Sequence, residues 1–262
     1  HPRMSSHYGF VPVLAHRLEY AMLEPGASSR HGPPTLVLLH DGLGSVSHWG
    51  GFPRQLVEAT GCPALVYSRQ GHGQSDPLSA KRRGDYLHVE AQAALPELLV
   101  HTRVANPVLV GHSDGASIAL IHAGSGFTVL GIVAMAPHVF VEPETLAGLR
   151  RARNTFEHGD LRRRLARHHR NPDATFHAWN DIWLAPEFRD WNVESLLPQI
   201  GCPLLLMQGE DDEYATLDQL AAIARGTRTR VETLALAGVG HAPWREAPAA
   251  VIAAVTAFIA TL

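Results

Sequence analysis

The hydrophobic positions of this chain fall into six short and nearly continuous apolar runs. These runs occupy residues 35–40, 64–67, 108–111, 131–135, 203–208 and 231–236. Apolar runs of this length without alternation are typical of strands buried on both faces, as in a parallel sheet. An earlier segment, residues 10–23, alternates between apolar and polar positions, so we expect an antiparallel hairpin at the edge of that sheet.

Helical periodicity fills several of the intervals between the apolar runs. The clearest helical patterns lie at residues 86–101, 113–122, 217–224 and 247–259. A regular succession of strand and helix is typical of βα units packed on both faces of one sheet. The pattern therefore predicts an α/β protein with a doubly wound sheet.

One segment, residues 139–200, breaks this succession. It contains no buried-strand pattern, only helical or irregular pieces rich in arginine and tryptophan, and it is too long for an ordinary connection. We interpret it as a helical cap inserted into a core formed by residues 1–138 and 201–262. Residues 150–170 carry eight arginines but only one aromatic residue, Phe156, which favours a solvated helical face over a nucleic-acid surface.

Composition narrows the function classes. The chain has 22 basic and 25 acidic residues, a formal charge of −3, which gives no general attraction to nucleic acid or an anionic membrane. Two cysteines in 262 residues exclude a disulfide framework. The longest apolar tract, residues 251–262, is too short to span a bilayer, and no secretory leader opens the sequence. We expect a cytoplasmic protein with neither nucleic-acid nor membrane partners.

The strongest chemical signal is the sequence Gly111-His112-Ser113-Asp114-Gly115, which reads G-x-S-x-G. It lies between a predicted buried strand and a predicted helix, the context in which a sharp turn exposes the middle residue. The hydroxyl then lies above a helix N-terminus, where backbone N–H groups favour developing negative charge. The two glycines allow the turn to pass its neighbours without collision. The sequence therefore predicts Ser113 as a nucleophile.

A serine nucleophile needs a base and a carboxylate that orients the base. There are 17 histidines, but His241 follows the last predicted strand in a glycine-rich loop, the expected place for the base. Four consecutive acids, residues 210–213, follow the preceding strand. The spacing from Gly209 favours Asp212 as the orienting acid, with Asp211 as the alternative. The acidic run lacks the alternating oxygen spacing of a calcium loop, so we predict no metal site.

A third loop, residues 40–45, follows the first long apolar run and is rich in glycine. Such a loop presents a backbone N–H group to the oxyanion of an acyl-transfer reaction. The register of the glycines favours the N–H of Gly42, with Leu43 as the alternative. The second predicted donor is the N–H of Asp114, directly after the nucleophile.

Taken together, these pieces resemble the α/β-hydrolase superfamily over nearly the whole chain. The matching sequences are HDGLG at residues 40–44, YSRQGHGQS at 67–75, GHSDG at 111–115, GEDD at 209–212 and GH at 240–241. The resemblance implies a mostly parallel eight-stranded sheet with a helical cap after the sixth strand. It also implies a Ser113–His241–Asp212 triad that works through an acyl-enzyme, with neither a metal nor an organic cofactor.

Two departures from the superfamily pattern lie beside the predicted site. Asp41 stands where many relatives have glycine, and Ser68-Arg69-Gln70 replaces the common Asp-Arg-Gly. Neither change touches the predicted triad. Both are expected to reshape the mouth of the site.

The remaining predictions concern the substrate. Aromatic residues in the cap and beside the active-site loops predict an apolar pocket, and we assign substrate contacts to Leu43, Trp183 and Trp244. The carboxylate of Asp114 either selects a cationic substrate group or interacts with a helix N-terminus, and we favour the second interpretation.

The predicted function is hydrolysis of a small carboxylic ester, with a small-molecule acyl substrate as the partner and the oligomeric state left open. The alternatives are cleavage of an amino-acid ester or amide, a lactone or the carbon–carbon bond of a diketone, and a ligand-binding receptor with little turnover.

Overall fold

One sheet of eight strands organises the computed structural model, which describes residues 6–26 and 32–262. In chain order the strands are β1 (Ser6–Val13), β2 (His16–Leu23), β3 (Thr35–Leu39), β4 (Ala64–Tyr67), β5 (Pro107–His112), β6 (Gly131–Met135), β7 (Leu204–Gly209) and β8 (Val231–Leu236). Their spatial order is β1-β2-β4-β3-β5-β6-β7-β8. The pairs β1–β2 and β2–β4 are antiparallel and all the others are parallel, which confirms the predicted mostly parallel sheet. Residues 1–5 and 27–31 of the predicted core lie outside the described residues.

The predicted edge hairpin is formed by β1 and β2. Val13 pairs with His16 across a two-residue turn, in which Leu14 and Ala15 have φ angles of 48° and 63°. Left-handed conformations at both central residues match the twist of an antiparallel hairpin, although glycine and asparagine are the usual residues there. The apolar alternation therefore located a hairpin that its turn residues alone would not have predicted.

Strand β8 differs from its prediction. Strands β3 to β7 are buried almost throughout, whereas every residue of β8 is exposed or partly exposed. The prediction of burial on both faces is wrong for β8, because this strand forms the free edge of the sheet beyond β7. Glu232 and Thr233 in its middle are the polar residues that an edge strand tolerates.

Helices cover both faces of the sheet. They are α1 (Phe52–Thr60), α2 (Tyr86–Val89), α3 (Leu95–His101), α4 (Asp114–Gly124), α5 (Pro143–His158), α6 (Leu161–Leu165), α7 (Pro172–Leu184), α8 (Asp218–Gly226), α9 (Pro243–Glu246) and α10 (Pro248–Ile259). Alternate residues of β3 belong to two different hydrophobic clusters, Val37 and Leu39 to one and Leu36 and Leu38 to the other. The first cluster packs α4 against the sheet, and the second packs α1 and α10 against the opposite face. Among the described residues, no helix combines the length and the apolar character needed to cross a bilayer.

The helix predicted at residues 86–101 is continuous but irregular. A π-helical turn, Glu90–Ala94, joins α2 to α3, and Pro96 occupies the first turn of α3. Proline has no backbone N–H and cannot bond the carbonyl four residues earlier, which accounts for a local break in the α-helical ladder.

The segment between β6 and β7, residues 136–203, is called the helical insert below. It contains α5, α6 and α7 and two short 3₁₀ segments, Pro186–Phe188 and Glu194–Gln199. Its two ends are joined by a bond from the N–H of Val193 to the carbonyl of Val139 (2.9 Å). This position after the sixth strand is the one that the resemblance implied for the cap.

Candidate active site

Ser113 lies at a sharp turn between β5 and α4. Its φ and ψ angles of 54° and −117° are a conformation that costs a non-glycine residue about 1–3 kcal/mol. Two backbone bonds hold it there: Ser113 N–H donates to the carbonyl of Met135 (2.9 Å), and Ser117 N–H donates to the carbonyl of Ser113 (3.0 Å). The turn therefore projects the Ser113 side chain away from the sheet, at the N-terminus of α4.

The two glycines of this turn are required by close backbone contacts. A Cβ atom on Gly111 would lie 2.5 Å from the carbonyl oxygen of Gly115, and one on Gly115 would lie 2.0 Å from the carbonyl oxygen of Leu39. Both contacts are too short for any side chain. The predicted steric role of these glycines is confirmed.

We expect Gly115→Ala to lower the free energy of unfolding by about 3 kcal/mol, because the new methyl group forces β3 and α4 apart. Gly201→Ala is the matched control, since a Cβ atom there meets nothing within 4 Å. Urea unfolding of both variants measures the difference. Equal stability of the two variants would contradict the steric account of the turn.

Three side chains predicted from distant parts of the sequence meet above this turn. The Nε2 atom of His241 lies 2.9 Å from the Oγ atom of Ser113, and its Nδ1 atom lies 2.8 Å from the Oδ1 atom of Asp212. An ionised carboxylate only accepts hydrogen bonds, so Nδ1 carries the proton and Nε2 is free to accept from the serine hydroxyl. The side chain of the alternative acid, Asp211, makes no hydrogen bond to His241, and Asp211 is an exposed residue.

The backbone around His241 is held by two glutamates. Glu246 accepts from the N–H groups of Gly240 and Ala242, both at 3.0 Å. Glu213 accepts from the N–H of His241 itself, also at 3.0 Å. Hydrogen bonds to ionised acceptors are stronger than neutral ones, so three consecutive peptide groups of a glycine-rich loop are fixed in place.

His112, the residue before the predicted nucleophile, holds the other side of the same loop. The indole N–H of Trp244 donates to Nδ1 of His112 (3.1 Å), which leaves the ring proton on Nε2. That Nε2 donates to the carbonyl of His241 (2.7 Å). Burial lowers the pKa of His112 to about 4, so the ring is neutral and keeps this donor role near pH 7.

Charges near His241 favour its protonated form. Burial lowers the pKa of His241, but the carboxylates of Asp212, Asp41 and Glu213 act in the opposite direction, and the net shift is upward. Burial likewise raises the pKa of Asp212, and the attraction and hydrogen bond of His241 bring it below its ordinary value. The pair is therefore arranged to stabilise an imidazolium beside a carboxylate.

The predicted oxyanion donors have no internal acceptor. The backbone N–H groups of Gly42, Leu43 and Asp114 donate to no atom of the described residues. The ring of Trp179, from α7, covers Gly42 so closely that a Cβ atom there would lie 2.2 Å from its Cδ1 atom. The helical insert thus packs directly on the loop that was predicted to bind the oxyanion.

The carbonyl groups of the first four residues of the same loop, residues 40–43, all accept hydrogen bonds. The guanidinium of Arg69 donates to the carbonyls of His40 (2.6 Å) and Asp41 (2.9 Å). Neutral buried histidines bond the next two: His72 Nε2 lies 2.9 Å from the carbonyl of Gly42, and His169 Nε2 lies 2.8 Å from the carbonyl of Leu43. With these four carbonyl groups bound, the N–H groups of Gly42 and Leu43 are groups of this part of the loop that have no acceptor among the described residues.

The Asp114 side chain points into the core. The hydroxyl of Tyr86 donates to Asp114 Oδ2, and the indole N–H of Trp183 donates to the hydroxyl of Tyr86 (2.8 Å). Burial raises the pKa of Asp114. Its carboxylate thus has a partner inside the protein, which leaves the backbone N–H as the part of Asp114 that faces the site.

The three residues predicted to contact substrate are placed differently from one another. Leu43 and Trp244 line a cavity of about 560 Å³ that opens beside His241. Trp244 is nevertheless only 5% exposed, and its indole N–H donates to His112. Trp183 is 2% exposed and packs edge-on against the ring of His138, with 5.4 Å between ring centroids. Within the described residues no cluster of histidine, cysteine or acidic side chains is arranged to hold a metal ion.

The comparisons with known proteins agree with this fold. A model of the alpha/beta hydrolase family matches residues 36–254, so the chain belongs to this family. Similar folds include 2-hydroxy-6-oxo-6-phenylhexa-2,4-dienoate hydrolase from Rhodococcus sp. strain RHA1, with a TM-score of 0.78 and 15% identity over 97% of this chain and 99% of that one. Proline iminopeptidase from Mycobacterium smegmatis gives a TM-score of 0.73 and 20% identity over 97% and 98%. The esterase RhEst1 from Rhodococcus sp. ECU1013 gives a TM-score of 0.71 and 20% identity over 99% of this chain and 100% of that one.

Proposed function

We propose that the protein is a serine hydrolase that cleaves the carboxylic ester of a small molecule through an acyl-enzyme. The observation that carries the proposal is the unbroken chain of hydrogen bonds from Ser113 through His241 to Asp212. Such a chain converts a weak hydroxyl nucleophile into a strong one at neutral pH.

In the first half-reaction, His241 Nε2 removes the hydroxyl proton of Ser113 while Oγ bonds to the ester carbonyl carbon. The carbonyl oxygen becomes an oxyanion, which the N–H groups of Gly42 and Asp114 stabilise. The imidazolium, stabilised by Asp212, then gives its proton to the leaving alcohol as the carbon–oxygen bond breaks. In the second half, water loses a proton to His241 and attacks the acyl carbon. The bond from that carbon to Ser113 Oγ then breaks, Oγ takes the proton back from His241, and the acid is released.

The pH dependence of this reaction follows from the charges around His241. The general base must be neutral, and the pKa of His241 is raised above its ordinary 6.5, so activity increases with pH through an apparent pKa above 6.5. Replacement of Glu213 by glutamine removes one raising charge and shifts this limb of the kcat/KM profile to lower pH. Glu210→Gln is the control, because Glu210 is an exposed acid of the same run that makes no side-chain bond to the His241 loop. A limb that stays in place in Glu213→Gln would contradict the electrostatic assignment.

The solved structures with similar folds include hydrolytic enzymes of several kinds, among them a dienoate hydrolase, an iminopeptidase and an esterase. An ester is favoured here over an amino-acid ester or amide, because Tyr86 already donates to the carboxylate of Asp114. That carboxylate was the group that would have selected a cationic amino group.

The test is a panel of p-nitrophenyl esters, lactones, amino-acid amides and β-diketones, assayed on the wild type beside Ser113→Ala. We expect ester hydrolysis to be the fastest reaction and to be lost in the variant. Faster cleavage of another substrate class would overturn the ester assignment. No Ser113-dependent turnover of any class would favour the receptor interpretation instead.

A further inference from the structure

The cavity beside His241 is rich in arginine and histidine side chains. Four arginines, four histidines and three acidic side chains line it. The arginines are Arg151, Arg164, Arg167 and Arg245, the histidines are His48, His112, His168 and His241, and the acidic residues are Asp41, Glu213 and Glu246. Three of the arginines belong to the arginine-rich stretch of the helical insert, which the proposed reaction does not use.

The acidic side chains are largely occupied by the protein itself. Both oxygens of Glu246 accept backbone N–H groups of the His241 loop, and Glu213 accepts a third. Asp41 lies 3.8 Å from the ring of His48 and, with His48 as the leading favourable charge, has its pKa lowered to about 2 despite burial. These carboxylates therefore interact mainly with the loops around the site rather than with the arginines that line the cavity.

Two of the four arginines have neither a carboxylate partner nor a side-chain hydrogen bond among the described residues. Arg164 pairs with Asp160 (3.3 Å), and Arg151 donates to the carbonyl of Glu213 (2.7 Å). Arg167 and Arg245 make no ion pair with any carboxylate of the described residues. Elsewhere in the arginine-rich stretch the guanidinium groups of Arg153 and Arg162 are paired with aspartates, and Arg150, Arg163 and Arg170 are also unpaired within the described residues but do not line this cavity.

These two cations line the same cavity from different parts of the fold, Arg167 from the helical insert and Arg245 from α9. Arg167 precedes His168 in the helical insert, and the ring of His168 lies 5.2 Å from that of His48 in the core. The ring of His48 lies 5.8 Å from that of Trp244, over which the guanidinium of Arg245 is placed at 5.8 Å. The rings of His168, His48 and Trp244 thus connect the helical insert to the core in the lining of this cavity.

We propose that Arg167 and Arg245 bind an anionic group, a carboxylate or a phosphate, carried by the alcohol part of the ester substrate. This inference rests on the proposed function. The alcohol part is indicated because the cavity is lined by His241, whose Nε2 gives the proton to the leaving alcohol, and not by Ser113. A guanidinium matches both anions through paired N–H donors, which a neutral ester group cannot exploit.

The test uses substrates with one acetyl group and matched leaving groups: 4-acetoxybenzoate, its neutral methyl ester and 4-acetoxyphenyl phosphate. For the wild type we expect kcat/KM to be about tenfold higher for at least one anion than for the neutral ester, falling in concentrated salt. Arg167→Gln/Arg245→Gln should remove the preference and leave hydrolysis of the neutral ester within about twofold. Arg163→Gln is the matched control, an exposed arginine of α6 that does not line the cavity.

The outcomes separate this inference from the proposed function. Ser113-dependent hydrolysis with equal rates on anionic and neutral esters would overturn the inference and leave the proposed function standing. A preference that survives in the double variant would also overturn it. A preference for the acyl-side anion mono-4-nitrophenyl succinate over its methyl ester, with none among the acetyl substrates, would overturn the assignment to the alcohol part. The benzoate and phosphate arms identify which anion is preferred.

Discussion

Ser113→Ala is expected to lower kcat/KM for p-nitrophenyl acetate by about 10⁵-fold. The reason is the loss of the atom that forms the covalent bond, since His241 and both predicted oxyanion donors remain in place. The residual rate should approach that of hydrolysis by a bound, polarised water. A stopped assay at high enzyme concentration, which brings the product above the detection limit, measures the residual activity.

Ser125→Ala is the matched control for this substitution. Ser125 lies at the other end of α4, where its hydroxyl donates to the carbonyl of Ile121 (2.6 Å), and we expect its replacement to leave kcat/KM within about twofold. If Ser113→Ala kept activity within tenfold of the wild type while folding normally, another group would have to be the nucleophile.

The second large effect is expected for Asp212→Asn, which should lower kcat by about 10³- to 10⁴-fold. An asparagine amide can donate to Nδ1 of His241, whereas the carboxylate accepts from it. The ring proton would then move to Nε2, the atom that has to accept the proton of Ser113. The histidine would be present and well placed but in the wrong tautomer.

The neighbouring acid provides the control. Asp211 is exposed and its side chain does not meet His241, so Asp211→Asn should keep kcat within about twofold of the wild type. Steady-state kinetics of the two variants decide the assignment. An inactive Asp211→Asn beside a normal Asp212→Asn would show that the wrong acid had been chosen.

Much of this site was accessible from the sequence because its parts follow strand ends. Parallel strands place the loops at their carboxyl ends along one edge of the sheet, so a serine after β5, an acid after β7 and a histidine after β8 converge. The apolar runs located those strands, and the spacing of Gly111 and Gly115 located the sharp turn. The hydrogen-bond geometry then distinguished Asp212 from Asp211, which spacing alone had left open.

The residues that support the site were not predicted. Glu213, Glu246 and His112 act on backbone N–H and carbonyl groups, and such contacts leave no pattern of residue types in a sequence. The only available signals were the position of Glu213 at the end of the acidic run and that of His112 beside Ser113. Neither position indicates which way the side chain points.

Side-chain direction also limits the predictions for the tryptophans. Large aromatic residues in a cap favour a substrate pocket, but Trp183 donates inward to Tyr86 and Trp244 donates to His112. Trp179, which was not assigned a substrate contact, is the one that covers Gly42. The residue type predicts burial, and only the packing of α7 on the sheet decides which ring reaches the site.

The most direct test of the account is the mass of the protein after reaction with a fluorophosphonate, followed by peptide mapping. We expect one phosphonyl group per chain, attached to the peptide that contains Ser113, with the reaction much slower in His241→Ala and absent in Ser113→Ala. Stoichiometric labelling that persists in Ser113→Ala, or no labelling of a folded wild-type chain, would contradict the assignment of Ser113 as the activated nucleophile.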